Sequence, residues 1–127
     1  MFTQSCFIKR NTQELRQYLK KIGYKYGGKA SNFEQPYLYC YYDKYFECSV
    51  FPSRYHNIIK CDDNEELFKA IAALQDDKSD YQWFVWDDIE DEGEKFKQYI
   101  PGEHWEEWWW FEVHKASVNE LLEYFKD

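Results

Sequence analysis

Tyr37-Leu38-Tyr39-Cys40-Tyr41-Tyr42-Asp43-Lys44-Tyr45-Phe46-Glu47-Cys48-Ser49-Val50-Phe51 is the stretch on which the fold turns. It reads as two strands, 37–42 and 45–51, joined as a hairpin through Asp43-Lys44. In the second strand Phe46, Cys48 and Val50 alternate with Glu47 and Ser49, the period of a half-buried strand. The first strand is apolar or aromatic on both faces. A hairpin standing between helical patterns breaks any strict alternation of strand and helix, and so points away from a parallel α/β sheet.

Upstream, residues 2–8 read as a strand. Asn11 and Glu14 have the spacing of a capping box, and Leu15, Tyr18, Leu19 and Ile22 follow on one helical face. Gly23 is the expected stop, and residues 24–36 read as loop. Downstream, 55–60 is a further strand. Asp63 and Glu66 repeat the capping spacing ahead of Leu67, Ala70, Ile71 and Leu74, with Ala70, Ala72 and Ala73 allowing close packing. Residues 81–86 are apolar on both faces, which predicts a central strand. Residues 87–94 form an acidic loop, and 95–100 a short strand closed by Pro101-Gly102. Ser117 and Glu120 make a third capping box before Val118, Leu121, Leu122 and Phe125. The three helix starts, 52 and 54 residues apart, fit either an internal repeat or three ordinary capped amphipathic helices.

The expected architecture is α+β: one domain spanning 1–127, with a mixed or mainly antiparallel sheet of about five to seven strands. Its three helices are expected mainly on one face of that sheet. The other face would then be aromatic. The segment Glu103-His104-Trp105-Glu106-Glu107-Trp108-Trp109-Trp110-Phe111-Glu112-Val113 sharpens the point, because it holds four of the six tryptophans. As a strand it places Trp109, Phe111 and Val113 on one face, under the helices, and Trp108, Trp110 and Glu112 on the other. Exposed aromatics grouped in this way mark contact surfaces. The candidate interface is therefore Trp105, Trp108, Trp110, Tyr37, Tyr39 and Tyr41, with Glu106, Glu107 and Glu112 beside them.

Composition narrows the function. Aromatic residues are 22% of 127, and the net charge of −8 is unevenly spread. Residues 1–60 hold ten Lys/Arg against four acids; residues 61–127 hold six against twenty. Arg16, Lys20, Lys21, Lys25 and Lys29, interleaved with tyrosines, form a candidate basic patch of the kind that binds single-stranded nucleic acid. The overall negative charge opposes that use. The acidic stretch 76–107 supports a second alternative, an inhibitor that imitates a phosphate backbone in the groove of a nucleic-acid enzyme.

Catalytic and cofactor motifs are weak. Gly23-Tyr24-Lys25-Tyr26-Gly27-Gly28-Lys29-Ala30 has phosphate-loop spacing, but Ala30 replaces the hydroxyl and Gly23 ends a helix instead of preceding one. Asp87-Asp88 lacks the spacing of a calcium loop. Cys6, Cys40, Cys48 and Cys61 are scattered, as buried free thiols of a reducing compartment would be. No secretion signal or membrane span is legible, so the expected location is the cytoplasm. The reading is a non-catalytic protein–protein interaction or accessory domain without cofactor or metal. Its partner is another protein or a second copy.

Overall fold

The structure is a computed structural model that describes residues 5–28, 34–41, 44–49, 58–74, 81–100 and 112–126. The hairpin is present as β3 (Tyr37–Tyr41) and β4 (Tyr45–Ser49), antiparallel, with Tyr41 opposite Tyr45 and Tyr37 opposite Ser49. It lies inside a five-stranded mixed sheet of order β2-β4-β3-β1-β5. Here β1 is Cys6–Ile8, β2 is Lys25–Tyr26 and β5 is Ile59–Lys60. β1 is antiparallel to β3 and parallel to β5. The chain is α+β, as expected. The remaining strands form a separate antiparallel sheet: β6 (Trp83–Trp86) lies between β7 (Phe96–Gln98) and β8 (Val113–Lys115). The strand expected over 81–86 is therefore central, as Trp83–Trp86, but within a second sheet and not the single one expected. The loop expected over 24–36 is interrupted at its start, where Lys25 and Tyr26 pair in parallel with Tyr45 and Phe46.

Three amphipathic helices and a single-turn helix, α3 (Glu92–Lys95), are seen among the described residues. α1 (Gln13–Lys21) buries Leu15 and Leu19 and ends as predicted at Gly23, whose φ is +104°. Gly23 N–H donates to Lys20 O and Tyr24 N–H to Leu19 O, the paired bonds of a Schellman motif. Two of the three caps sit one residue later than the capping spacing indicates. Thr12 Oγ1 accepts from Leu15 N and Asn64 Oδ1 from Leu67 N, each at 3.1 Å. Asn11 serves elsewhere. Its side chain donates to Gln35 O and accepts from Arg16, tying α1 to the loop before β3. Ser117 and Glu120 do form the complete capping box at the start of α4 (Val118–Tyr124).

The main core lies between the five-stranded sheet and the helices. Cys6 and Ile8 of β1, Leu38 and Cys40 of β3, and Phe46 and Cys48 of β4 all point into it. All four cysteines are free and buried. α2 (Glu65–Ala72) is the central helix, packed on β1, α1 and α4 together. α4 covers one face of the second sheet: Tyr124 stacks on Phe96 at 4.3 Å, and Phe125 meets Trp83 edge-on at 5.1 Å.

Asn64 joins two helices. Besides capping α2, its Nδ2 donates to Phe125 O at 2.7 Å. Asn64→Ala is expected to cost about 2 kcal/mol, against about 1 for Thr12→Ala, because it removes a cap and a second bond together. Urea titration of the two variants side by side measures the difference.

Candidate functional site

By register, the face of the five-stranded sheet turned away from α2 carries three rows. Lys25, Tyr45 and Tyr41 form the first, Glu47, Tyr39, Phe7 and Lys60 the second, and Ser49 and Tyr37 the third. This is the aromatic face that the sequence predicts, but it is not uniformly open. Phe7 and Tyr39 are each 2% exposed and belong to a separate aromatic group with Tyr37. Tyr39 is therefore a correction to the candidate interface: it is buried with its ring 5.0 Å from that of Phe7, whereas a strand-period argument assigns a face and not its exposure. Tyr37 and Tyr41 are half-buried.

The open part of this face is its corner at β2, β3 and β4. Tyr45 is 38% exposed, one of two exposed large hydrophobic residues among those described. Its ring stacks on Tyr41 at 6.1 Å with an interplanar angle of 23°. Gly27 makes the corner fit. A Cβ there would run into the Tyr41 hydroxyl and reach 3.3 Å from the Tyr45 ring, so a larger residue at 27 would have to displace the pair.

The basic patch is partly engaged within the chain. Arg16 is half-buried and bonded to Asn11, and the Lys21 ammonium sits 4.9 Å from the centre of the Tyr81 ring. Lys20 and Lys25 are exposed. The two oppositely charged halves of the sequence also meet: Lys9 pairs with Asp62 at 3.6 Å and Arg10 with Glu65 at 3.3 Å. Folding thus mixes the signs at the start of α2. Lys29, Trp105, Glu106, Glu107, Trp108, Trp109, Trp110 and Phe111 lie outside the described residues.

Glu112 is exposed and leads into β8. Its carbonyl accepts from Asp87 N at 2.7 Å, and its N–H donates to Asp88 Oδ2 at 3.4 Å. The Asp87-Asp88 pair therefore holds the open end of the β6–β8 ladder. Val113 pairs with Trp86 while His114 pairs with Val85. Alternation then puts Val113 on the face away from α4, not under the helices as the strand reading places it. His114, which no motif singles out, stands between Asp87 and Glu120, each 2.9 Å from a ring nitrogen. The capping box marks Glu120 in the sequence, but the contact with Asp87, 27 residues away, exists only once β6 and β8 pair.

Burial pushes the Cys6 and Cys61 thiols well up and makes them poor nucleophiles. Among the described residues, no group of three or more His, Cys, Asp or Glu side chains is placed to hold a metal ion. No helix among them is long and apolar enough to cross a membrane. Comparison with protein-family models, with curated proteins and with solved structures gives no match.

Proposed function

We propose that this chain is a small non-catalytic interaction domain that docks a protein partner, and in the first instance a second copy of itself, through the aromatic corner of its five-stranded sheet. The observation that carries the reading is the stacked Tyr41–Tyr45 pair, with Tyr45 38% exposed beside exposed Lys25. Tyrosine contributes large, rigid contact area at low entropic cost, and aromatic anchors dominate interface energetics. Tyr37 shares this face, and Trp105, Glu106, Glu107, Trp108, Trp110 and Glu112 are proposed as further contact residues on the strength of the sequence alone. The residual negative charge of the second half selects a partner surface bearing Lys or Arg.

Light scattering over a concentration series at low and high salt tests this. The wild type is expected to move from monomer toward dimer at low salt, and Tyr41→Ser/Tyr45→Ser to remain monomeric with its thermal midpoint within a few degrees of wild type. A wild type that stays monomeric at the highest concentration and lowest salt would remove self-docking. Acrylamide quenching addresses the tryptophan part of the surface separately. Full protection of all six tryptophans in a monomer would eliminate them as an open platform.

A further inference from the structure

The geometry points to a proton-operated latch: His114 in its charged form bolts strand β8 to the start of α4 and to the end of β6. Both ring nitrogens face carboxylates. Nδ1 lies 2.9 Å from Asp87 Oδ1 and 3.1 Å from Oδ2; Nε2 lies 2.9 Å from Glu120 Oε2 and 3.1 Å from Oε1. Neutral imidazole has one N–H and one bare lone pair, so it can satisfy one carboxylate and must repel the other. Only imidazolium donates at both positions. The arrangement therefore selects the charged ring by geometry alone.

The three residues come from three elements. Asp87 follows β6, His114 is the middle residue of β8, and Glu120 is in the first turn of α4. Glu120 is already fixed, because its Oε1 accepts from Ser117 N at 3.0 Å in the capping box. Among the described residues, Asp88 and Glu112 lie at the end of the ladder and Lys115 is next to His114 on β8.

The shifts agree with the geometry. The hydrogen bonds to Asp87 and then to Glu120 raise His114 above its ordinary value of 6.5. Burial pulls the Glu120 carboxyl upward, but the bonds from Ser117 N–H and from His114 outweigh it and hold the group below its ordinary 4.5. The histidine contribution is thus full below the unfolded value near 6.5 and is lost as pH rises through the raised folded value. The Glu120 contribution is full above the unfolded carboxylate value and is lost as pH falls through the lowered one. The latch is closed in the interval between and opens on the alkaline side by loss of a single proton. The strand it releases is the one that follows the tryptophan-rich segment 105–110 in the chain.

Two-dimensional NMR of the imidazole ring tests this in the full chain, with His114→Gln used to separate its signal from those of His56 and His104. The midpoint of His114 is expected above 6.5, and both Asp87→Asn and Glu120→Gln are expected to lower it; Gln at 120 preserves the capping box. A midpoint at or below 6.5, or one unmoved in both variants, overturns the proposal. The latch itself is read from amide-exchange protection, corrected for intrinsic pH dependence. The reporters are the Ala116 amide, which donates to Trp83 O, and the Leu121 amide, which donates to Ser117 O. Protection is expected to fall roughly two- to five-fold across the His114 midpoint in the wild type and to be flat in His114→Gln, as suits a half-exposed pair. Protection that ignores the midpoint in the wild type would leave His114 charged but not a latch, and would also overturn the proposal.

Discussion

Phe68→Ala is expected to destabilise the chain by about 3–5 kcal/mol, a large share of the roughly 5–15 kcal/mol that holds a domain of this kind. Phe68 is 0% exposed. It sits in α2, which packs against β1 on one side and against α1 and α4 on others. Truncation leaves a cavity at a fully buried position of the helix that packs on three other elements, and those elements cannot close it without leaving their other neighbours. The thermal midpoint should fall by on the order of 15 °C. In urea the midpoint concentration should drop with an unchanged slope, since the surface exposed on unfolding is nearly the same. A loss below about 1 kcal/mol would mean that α2 is not the centre of the core.

The second large effect is expected in alkali, from two tyrosines that close the end of α2. The Tyr24 hydroxyl donates to Ala72 O at 2.7 Å and the Tyr18 hydroxyl to Lys69 O at 3.2 Å. Ala72 O lies in the last turn, where carbonyls have no partner within the helix. Burial drives both hydroxyls far above the usual tyrosine range. The sign follows directly. A folded value above the unfolded one gives stability that is complete below about pH 10 and is lost as pH rises, because the unfolded chain releases protons that the folded chain retains. Buried Cys6, Cys48 and Cys61, also raised, begin the same loss from about pH 8.5. Tyrosinate absorbance is expected to show Tyr18 and Tyr24 silent until the chain unfolds. Tyr24→Phe should cost about 1–3 kcal/mol at neutral pH by stranding the Ala72 carbonyl, and should flatten the alkaline loss. If the variant were as stable as wild type at pH 7 and equally sensitive above pH 10, the hydroxyl would not be capping the helix.

These two expectations fall where the sequence is only partly legible. Leu67, Ala70, Ile71 and Leu74 mark one face of α2, and all four are buried. Phe68 and Ala72 lie off that stripe and are buried as well. α2 packs on β1, α1 and α4 and so buries more than one stripe, with Glu66 left exposed, and periodicity shows only the first contact. The capping hydroxyls are 48 and 51 residues from the carbonyls they serve, and nothing local announces them.

The candidate surface divides in the same way. Alternation along β3 places Tyr37, Tyr39 and Tyr41 on one side. It cannot tell that the middle one is buried against Phe7 while the last stacks beside exposed Tyr45. The capping spacing marks Asn11 and Asp63, one residue early, because Thr12 and Asn64 are equally competent acceptors. Spacing alone does not choose between neighbours.

Local chemistry is therefore enough for the hairpin, the three amphipathic helices, the Gly23 stop, the Ser117 capping box and the α+β class. Each depends on residues within one or two turns or on one strand pair, where periodicity and capping act directly. The division of strands into two sheets, the burial of Tyr39 and the placing of His114 between Asp87 and Glu120 depend on which distant segments meet. Those meetings are selected by the collective burial of apolar surface, a quantity that belongs to the assembled chain and to no single segment of it.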